Sequence, residues 1–340
     1  MKPRPGFRAA FPAALLCLLA PLGAAEQSAS PAGTLLVVNK GNATLSIVDP
    51  AAGLQVATVG EEARTGHEVA VSPDGRKAYV PIYGSAGVGQ KGTDGSLIRV
   101  VDLATRTVTG TYDFGRGVRP HRPVFGPRDG LLYVTTEIEQ TVSIIDPATL
   151  RLVGSVPTGH LECHMLAISS DGSRGYTANV RSGTVSVLDL VNRRLVTIIA
   201  VAPVVQRIAL STDDKWAFTA DETALRVAVI DTATNTVSRS IPLPGIAFGM
   251  TATPDGRSLL VAMPAIRMVG LVDLQTMRVT RTIEVPKAPQ EILVRPDGCV
   301  AYVSCDSAAK VAVINLKTWA IDGLIDVGPA DDGLAWAPAG

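Results

Sequence analysis

The sequence predicts an all-β, seven-bladed propeller of four-stranded antiparallel blades, closed by a C-terminal strand that completes the first blade. A unit of about 42 residues recurs, and each unit ends in a short apolar strand followed by an acidic or amide residue. These anchors are Asp49, Asp102, Asp146, Asp189, Asp231, Asp273 and Asn315, with spacings of 53, 44, 43, 42, 42 and 42 residues. A fixed period of this size indicates a repeat architecture. Several short strands per unit and no helical pattern indicate propeller blades.

The unit that starts at His67 illustrates how one repeat supplies one blade. Its four strands are predicted over 69–71, 77–80, 97–102 and 107–112. The first two strands are joined by Ser-Pro-Asp-Gly (72–75), in which proline fixes φ and glycine accepts a positive φ. The strands are rich in Val, Ile and Thr, as expected for β-structure. The same order of strands and turn returns in the later units.

The two ends of the repeat region complement one another. The first unit, from Thr34, lacks an inner strand and its turn, whereas residues 333–338 match the inner-strand pattern and then stop. We therefore expect the last strand to become the inner strand of the first blade, which removes two exposed sheet edges. The propeller is then a single domain over residues 34–340.

The N-terminus has the three parts of a secretory signal peptide, predicted over 1–25. Basic residues precede an apolar stretch (9–22), and small residues follow at 23–25. We expect a periplasmic or secreted protein with a flexible segment at 26–33. The apolar stretch is too short for a membrane span, and no later segment reaches 18 apolar residues. The 31 basic residues balance 31 acidic ones, so nucleic acid is not an expected partner.

The repeat also resembles a known family. The pattern Ser-Pro-Asp-Gly-x-x-x-Tyr-Val at 72–80, followed by the strand 97–102, resembles the bacterial YVTN-type β-propeller repeat, as do 169–189 and 295–315. The resemblance covers essentially all of the chain after the signal peptide. It implies a relation to the haem-binding propeller of periplasmic nitrite reductase, to quinoprotein amine dehydrogenase subunits and to lactonase-type propellers. No Cys-x-x-Cys-His motif is present, so covalent c-type haem is not expected.

One repeat position gathers most of the histidines. Six residues before each turn proline, or its equivalent, lies the first residue of the inner strand. The seven residues at this position are His67, His121, His164, Gln206, Phe248, Gln290 and Asp332. Inner strands line the channel of a propeller, so we expect all seven to face one funnel. The chain has four histidines, and three occupy this position in consecutive blades; the fourth, His160, lies four residues before His164.

This clustering predicts a metal site. Imidazole and carboxylate are common ligands of Zn, Cu, Fe and Ni. The predicted metal ligands are His67, His121 and His164, with Asp332 as a fourth ligand or as an orienting group. An insertion at 83–96 is expected to cover them. The cofactor is expected to be a divalent transition metal or a haem-type group.

Four further residues are expected to contact a bound cofactor or ligand. They are Gln206, Gln290, Arg122 and Phe248. The amides can hydrogen-bond a ligand, and the guanidinium of Arg122 suits a carboxylate or a haem propionate. Phe248 offers an apolar wall.

The preferred function is binding of a metal or metal-containing cofactor, in a periplasmic redox or cofactor-handling pathway, with a periplasmic protein as a further candidate partner. A metal-assisted hydrolase or lyase of lactonase type, an organic ligand held by hydrogen bonds, and a protein-interaction scaffold without a small ligand remain open. A purely structural role also remains open, in which the polar funnel residues only hydrogen-bond backbone groups and ordered water. Binding is favoured over catalysis; an enzyme would be a metal-dependent lactonase-like hydrolase or an oxidoreductase subunit. No Ser-His-Asp order with a nucleophile elbow is visible.

Overall fold

The computed structural model describes residues 1, 2, 6, 32–61, 66–85 and 87–339. Its strands form seven four-stranded antiparallel sheets, which confirms the predicted propeller. Most of the predicted signal peptide and of the segment 26–33 lies outside the described residues. In the described part of the chain, the helical elements are two short 3-10 turns, Pro264–Ile266 and Asp306–Ala308, and no helix has the length and hydropathy to cross a membrane.

The strands are numbered in chain order and grouped by blade. Blade 1 contains β1 (Gly33–Asn39), β2 (Thr44–Asp49), β3 (Leu54–Gly60) and β28 (Asp331–Pro338). Blade 2 contains β4 (Ala70–Val71), β5 (Lys77–Gly84), β6 (Asp94–Asp102) and β7 (Thr107–Asp113). Blade 3 contains β8 (Pro120–Phe125), β9 (Leu132–Thr136), β10 (Thr141–Asp146) and β11 (Arg151–Pro157). Blade 4 contains β12 (Cys163–Ile168), β13 (Arg174–Asn179), β14 (Thr184–Asp189) and β15 (Arg194–Ala200).

Blades 5, 6 and 7 follow the same order of strands. Blade 5 contains β16 (Val205–Leu210), β17 (Trp216–Asp221), β18 (Arg226–Asp231) and β19 (Thr236–Pro242). Blade 6 contains β20 (Met250–Ala252), β21 (Ser258–Met263), β22 (Met268–Asp273) and β23 (Arg278–Glu284). Blade 7 contains β24 (Pro289–Val294), β25 (Val300–Cys305), β26 (Lys310–Asn315) and β27 (Ala320–Asp326).

Blade 1 is completed by the two ends of the propeller, as the sequence predicts. Strand β28 pairs antiparallel with β1, and Leu35 lies opposite Trp336. Gly33 allows this pairing, because a Cβ there would lie 2.4 Å from the Trp336 ring. The ladder joins the two ends directly, and β28 covers the edge that β1 would otherwise expose.

The core lies between neighbouring blades. In blade 5 the second and third strands, β17 and β18, are mostly buried, whereas the outer strand β19 is mostly exposed. One apolar cluster joins Phe218 of blade 5 to Val261 of blade 6, and another joins Leu36 of blade 1 to Val80 of blade 2. Strands buried on both faces explain the continuous apolar runs in the sequence.

The insertion in blade 2 differs in part from the loop that the sequence predicts. Strands β5 and β6 continue into it, so that Gly84 pairs with Asp94 beyond the expected strand ends. The backbone amides of Ser85 and Thr93 bond across the hairpin, to the Thr93 carbonyl and the Ser85 hydroxyl. The insertion is therefore an extended hairpin. We call residues 83–96 the cover hairpin.

Candidate functional site

β-bulges at the start of the inner strands direct side chains into the funnel. In blade 3, Pro120 pairs with Thr136 and Pro123 with Val134, so β8 has one extra residue at His121 and Arg122. Equivalent register shifts occur in blades 1, 4, 5 and 7. A bulge re-aims side chains that would otherwise alternate between the two faces of a strand. In these five blades, two consecutive residues can therefore reach the funnel.

Hydroxyls of the second strands bond the backbone groups that the bulges free from the ladder. Thr135 Oγ1 accepts the Arg122 amide and donates to the His164 carbonyl. Ser304 accepts the Glu291 amide in the same way. Buried backbone groups need such partners, so these hydroxyls stabilise the bulged geometry.

Three histidines meet at the first of the two funnel positions. The imidazoles of His121 and His164 stack with ring centroids 3.6 Å apart, and His67 meets His121 edge to face at 5.4 Å. His121 and His164 are 1% and 2% exposed, whereas His67 is partly exposed. We call His67, His121 and His164 the imidazole layer. The structure thus brings together the three histidines that the sequence singles out.

The imidazole layer is held neutral. Burial lowers the pKa of His67 to about 4 and lowers the pKa values of His121 and His164 well below their ordinary range. The Nδ1 atoms of His121 and His164 are buried without a hydrogen-bond partner. Glu137 Oε2 lies 3.9 Å from Nδ1 of His164, which is too far for a hydrogen bond. Two polar atoms in the layer therefore remain unsatisfied.

Tyr83 of the cover hairpin packs over all three imidazoles. Its ring centroid lies 4.8 Å from that of His67, 5.3 Å from His121 and 5.9 Å from His164. Its hydroxyl donates to Glu137. Burial raises the pKa of Tyr83, so the hydroxyl remains a donor. The cover hairpin thus closes the layer with an aromatic ring, at the place where the sequence predicts a cover.

Arg119 fastens the cover hairpin to blade 3. Its guanidinium donates to Asp94 Oδ1 and to the Gln90 carbonyl, both at 2.6 Å, and to Glu137 Oε1 at 3.1 Å. The Gly89 amide also donates to Glu137. Opening the site requires these bonds to break together.

The second funnel position carries charges that meet across the channel, and they also pair with Asp332, which lies at the first position. Glu68 accepts from Arg122 and Arg207, and Glu291 accepts from the same two guanidiniums. Arg207 also donates to Asp332 at 3.1 Å. We call Glu68, Arg122, Arg207, Glu291 and Asp332 the charged layer. It joins blades 1, 2, 3, 5 and 7, and burial raises the pKa of Glu68 to about 7.

Asp332 is held by cations on both oxygens. Oδ1 accepts from Arg207, and Oδ2 lies 3.1 Å from Lys40 Nζ. Lys40 also pairs with Asp306. Although burial opposes ionisation, Arg207 and Lys40 keep the pKa of Asp332 below its ordinary value. Both oxygens of Asp332 are thus paired with cations, so the carboxylate affects His67 only through its charge. That charge raises the pKa of His67, against the larger lowering caused by burial.

The other predicted site residues surround these two layers. The Gln206 amide nitrogen lies 3.3 Å from Nε2 of His164. The Phe248 ring stacks under the Arg207 guanidinium at 4.6 Å. Gln290 is partly exposed in blade 7, where its carbonyl approaches Gly249 so closely that a Cβ there would be 1.8 Å away. His160 lies apart, in a surface groove with Leu161, Glu162 and Arg181.

Tyr83, Glu291 and Lys40 belong to the site but are not predicted as site residues from the sequence. Glu291 directly follows Gln290, so counting one position further in each repeat would have found it. Among the described residues, no group of three or more His, Cys, Asp or Glu side chains is placed to hold a metal ion as it stands. The rings of His121 and His164 are stacked, so the three imidazoles do not converge on one point.

Comparison with known proteins gives no further guide to this site. No protein-family model matches the chain, and no curated protein matches it.

Proposed function

We propose that this chain is an exported, YVTN-type propeller that binds a divalent transition-metal ion through His67, His121 and His164, in a periplasmic redox or cofactor-handling role. The repeat pattern at 72–80 and 97–102 supports the family, and the N-terminal sequence supports export. The observation that carries the metal proposal is the pair of buried, unpartnered Nδ1 atoms in the imidazole layer. Unsatisfied buried polar atoms are costly, and a metal ion would satisfy them.

The electrostatics favour the same ligand class. Metals bind neutral imidazole, so protons compete with them at ordinary histidines. Burial already keeps these three imidazoles neutral. Imidazole ligands suit Zn, Cu, Ni and Fe. The contact of Tyr83 with all three rings favours a bare ion over a porphyrin, which would need the space that Tyr83 fills.

Binding requires one local rearrangement. Imidazoles that share a tetrahedral metal at ~2.1 Å have ring centroids roughly 5 Å apart. The separation of His67 and His121, at 5.4 Å, meets this requirement, whereas the 3.6 Å stack of His121 and His164 must open. Asp332 stays on Arg207 and Lys40 and balances charge beside His67.

Metal titration of tag-free protein tests the proposal. Wild-type protein stripped with a chelator should take up one equivalent of Co²⁺ and show the visible absorption of a tetrahedral site. His121→Asn should weaken this binding at least 100-fold with its circular dichroism unchanged. The matched control, His160→Asn, removes a histidine outside the layer and should bind like wild type. Equal binding by all three proteins, or no binding by wild type, would refute the proposal.

A further inference from the structure

The contacts around the imidazole layer leave the mouth of the funnel as its route to solvent. On the channel side, the charged layer joins blades 1, 2, 3, 5 and 7 across the axis. On the mouth side, the ring of Tyr83 packs on all three imidazoles and is itself buried, at 1% exposure. His67 is partly exposed, whereas His121 and His164 are buried. An ion can therefore reach His121 and His164 only when Tyr83 moves.

The outer part of the cover hairpin, residues 87–94, is attached to the rest of the propeller at few points. None of these residues is buried. Their hydrogen bonds to described residues outside the hairpin end on two side chains, those of Arg119 and Glu137. A segment with few buried contacts can open locally, at a free energy well below that of global unfolding.

Arg119 holds this segment against blade 3. Its side chain is only 7% exposed, and it lies over the Tyr83 ring, with Cζ 5.7 Å from the ring centroid. Three hydrogen bonds fix the guanidinium there, to Asp94 Oδ1, the Gln90 carbonyl and Glu137 Oε1. Arg119 thus contacts both the hairpin and the ring beneath it, so breaking its bonds releases the two together.

The base of the hairpin is held in a different way. The Gly95 carbonyl accepts the backbone amides of Val118 and Arg119. These bonds belong to the backbone and do not depend on the guanidinium. Residues 87–94 can therefore turn away from blade 3 about a fixed base once the bonds of the guanidinium break.

We propose that residues 87–94 are a gate that Arg119 holds closed, and that its opening sets how fast a metal ion enters and leaves the imidazole layer. Opening removes the guanidinium from the Tyr83 ring and the Gly89 amide from Glu137. The ring is then free to leave the imidazoles. The role in metal exchange rests on the proposed function, whereas the gate itself is a property of the fold and needs no metal.

Modification of the metal-free full chain with diethyl pyrocarbonate, followed by peptide mass spectrometry, tests the gate without a metal. The reagent acylates neutral imidazoles that it can reach, and His121 and His164 are neutral but buried. We expect both to react slowly in wild type and at least 10-fold faster in Arg119→Met. His160, in its surface groove outside the layer, should react at the same rate in both proteins.

The matched control is Arg116→Met, because Arg116 pairs with Glu139 and its side chain is 71% exposed. It should leave the rates at His121 and His164 unchanged. Asp94→Asn removes one of the three bonds of Arg119 and should accelerate modification by a smaller factor. It makes the same test should Arg119→Met fail to fold.

Low concentrations of urea distinguish the gate from unfolding of the whole chain. Opening the gate exposes little surface, so urea should leave the rate at His121 almost unchanged. Thiol labelling of the buried Cys305, in blade 7, requires a larger opening and should accelerate with urea. Unchanged histidine rates in folded Arg119→Met would overturn the gate. So would a rate at His121 that rises with urea as steeply as the labelling of Cys305.

Stopped-flow mixing with Co²⁺ tests the role of the gate in metal exchange. Arg119→Met should take up Co²⁺ at least 10-fold faster than wild type and reach the same visible spectrum. Equal uptake rates would overturn this role. Wild-type protein that binds no Co²⁺ would refute the metal-binding function, while the modification rates would still decide whether the gate exists.

Discussion

The imidazole layer and the charged layer are neighbours in the funnel, since Glu68 follows His67 and Arg122 follows His121 in the chain, yet their polar atoms are paired to different extents. In the charged layer each carboxylate meets a cation, and Arg207 alone bonds Glu68, Glu291 and Asp332. In the imidazole layer, two buried Nδ1 atoms have no partner. Ion pairs hold the charged layer together, whereas the unpartnered ring nitrogens of the imidazole layer point to a ligand. We therefore expect the charged layer to stabilise the fold and the imidazole layer to bind a ligand.

The largest expected effect comes from breaking the charged layer. Arg207→Met leaves three carboxylates without their shared cation and should destabilise the fold by about 3–5 kcal/mol, measured by urea denaturation at pH 7. Arg267→Met is the matched control, because Arg267 pairs with Glu284 and both side chains are exposed. It should cost less than about 1 kcal/mol. Equal costs would mean that the charged layer does not stabilise the propeller.

The imidazole layer should change how the free energy of unfolding depends on pH. Its histidines stay neutral in the folded protein but take up protons near pH 6.5 when unfolded. Their contribution is complete above pH 6.5 and is lost as the pH falls toward 4. Each such histidine adds about 1.4 kcal/mol per pH unit to the slope. His121→Asn should reduce the slope of unfolding free energy against pH by about 1.4 kcal/mol per pH unit between pH 6.5 and 5. His160→Asn should leave the slope unchanged.

Glu68 should contribute to the free energy of unfolding with the opposite dependence on pH, over the range from pH 4.5 to 7. Its folded pKa of about 7 lies above the ordinary 4.5, so its stabilising contribution is present below pH 4.5 and is lost as the pH rises through 7. Removing this term in Glu68→Gln should steepen the rise of stability with pH between 4.5 and 7, by up to about 1.4 kcal/mol per pH unit. Denaturation over a pH series measures it. A shallower slope in Glu68→Gln would contradict the assignment.

The smallest effect is expected at the cover hairpin. Tyr83→Phe keeps the ring on the imidazoles and removes only the hydroxyl that bonds Glu137. A single hydrogen bond contributes about 1 kcal/mol, so thermal and urea denaturation should show a loss of that size. Tyr112→Phe is the control. Tyr112 lies in the outer strand β7, and its ring packs on Phe114. A loss of several kcal/mol in Tyr83→Phe would mean that the hairpin is part of the fold and not a cover.

Repeat counting could predict the imidazole layer but only part of the charged layer. The period places His67, His121 and His164 in equivalent positions, and the strand order follows from the turns. The bulges could not be predicted, because strict alternation would point each next residue away from the funnel. Glu68 and Glu291 therefore enter the same layer only once the ring is closed in three dimensions. The cover hairpin was predicted by its length, but its strand pairing depends on contacts with blade 3.

The X-ray absorption spectrum of the Co²⁺-loaded wild-type protein tests the central claim most directly. Our account predicts one cobalt ion with three imidazole nitrogens in its first coordination sphere and no cysteine sulfur. A protein that binds no cobalt, or that holds it through oxygen or sulfur ligands alone, would contradict it.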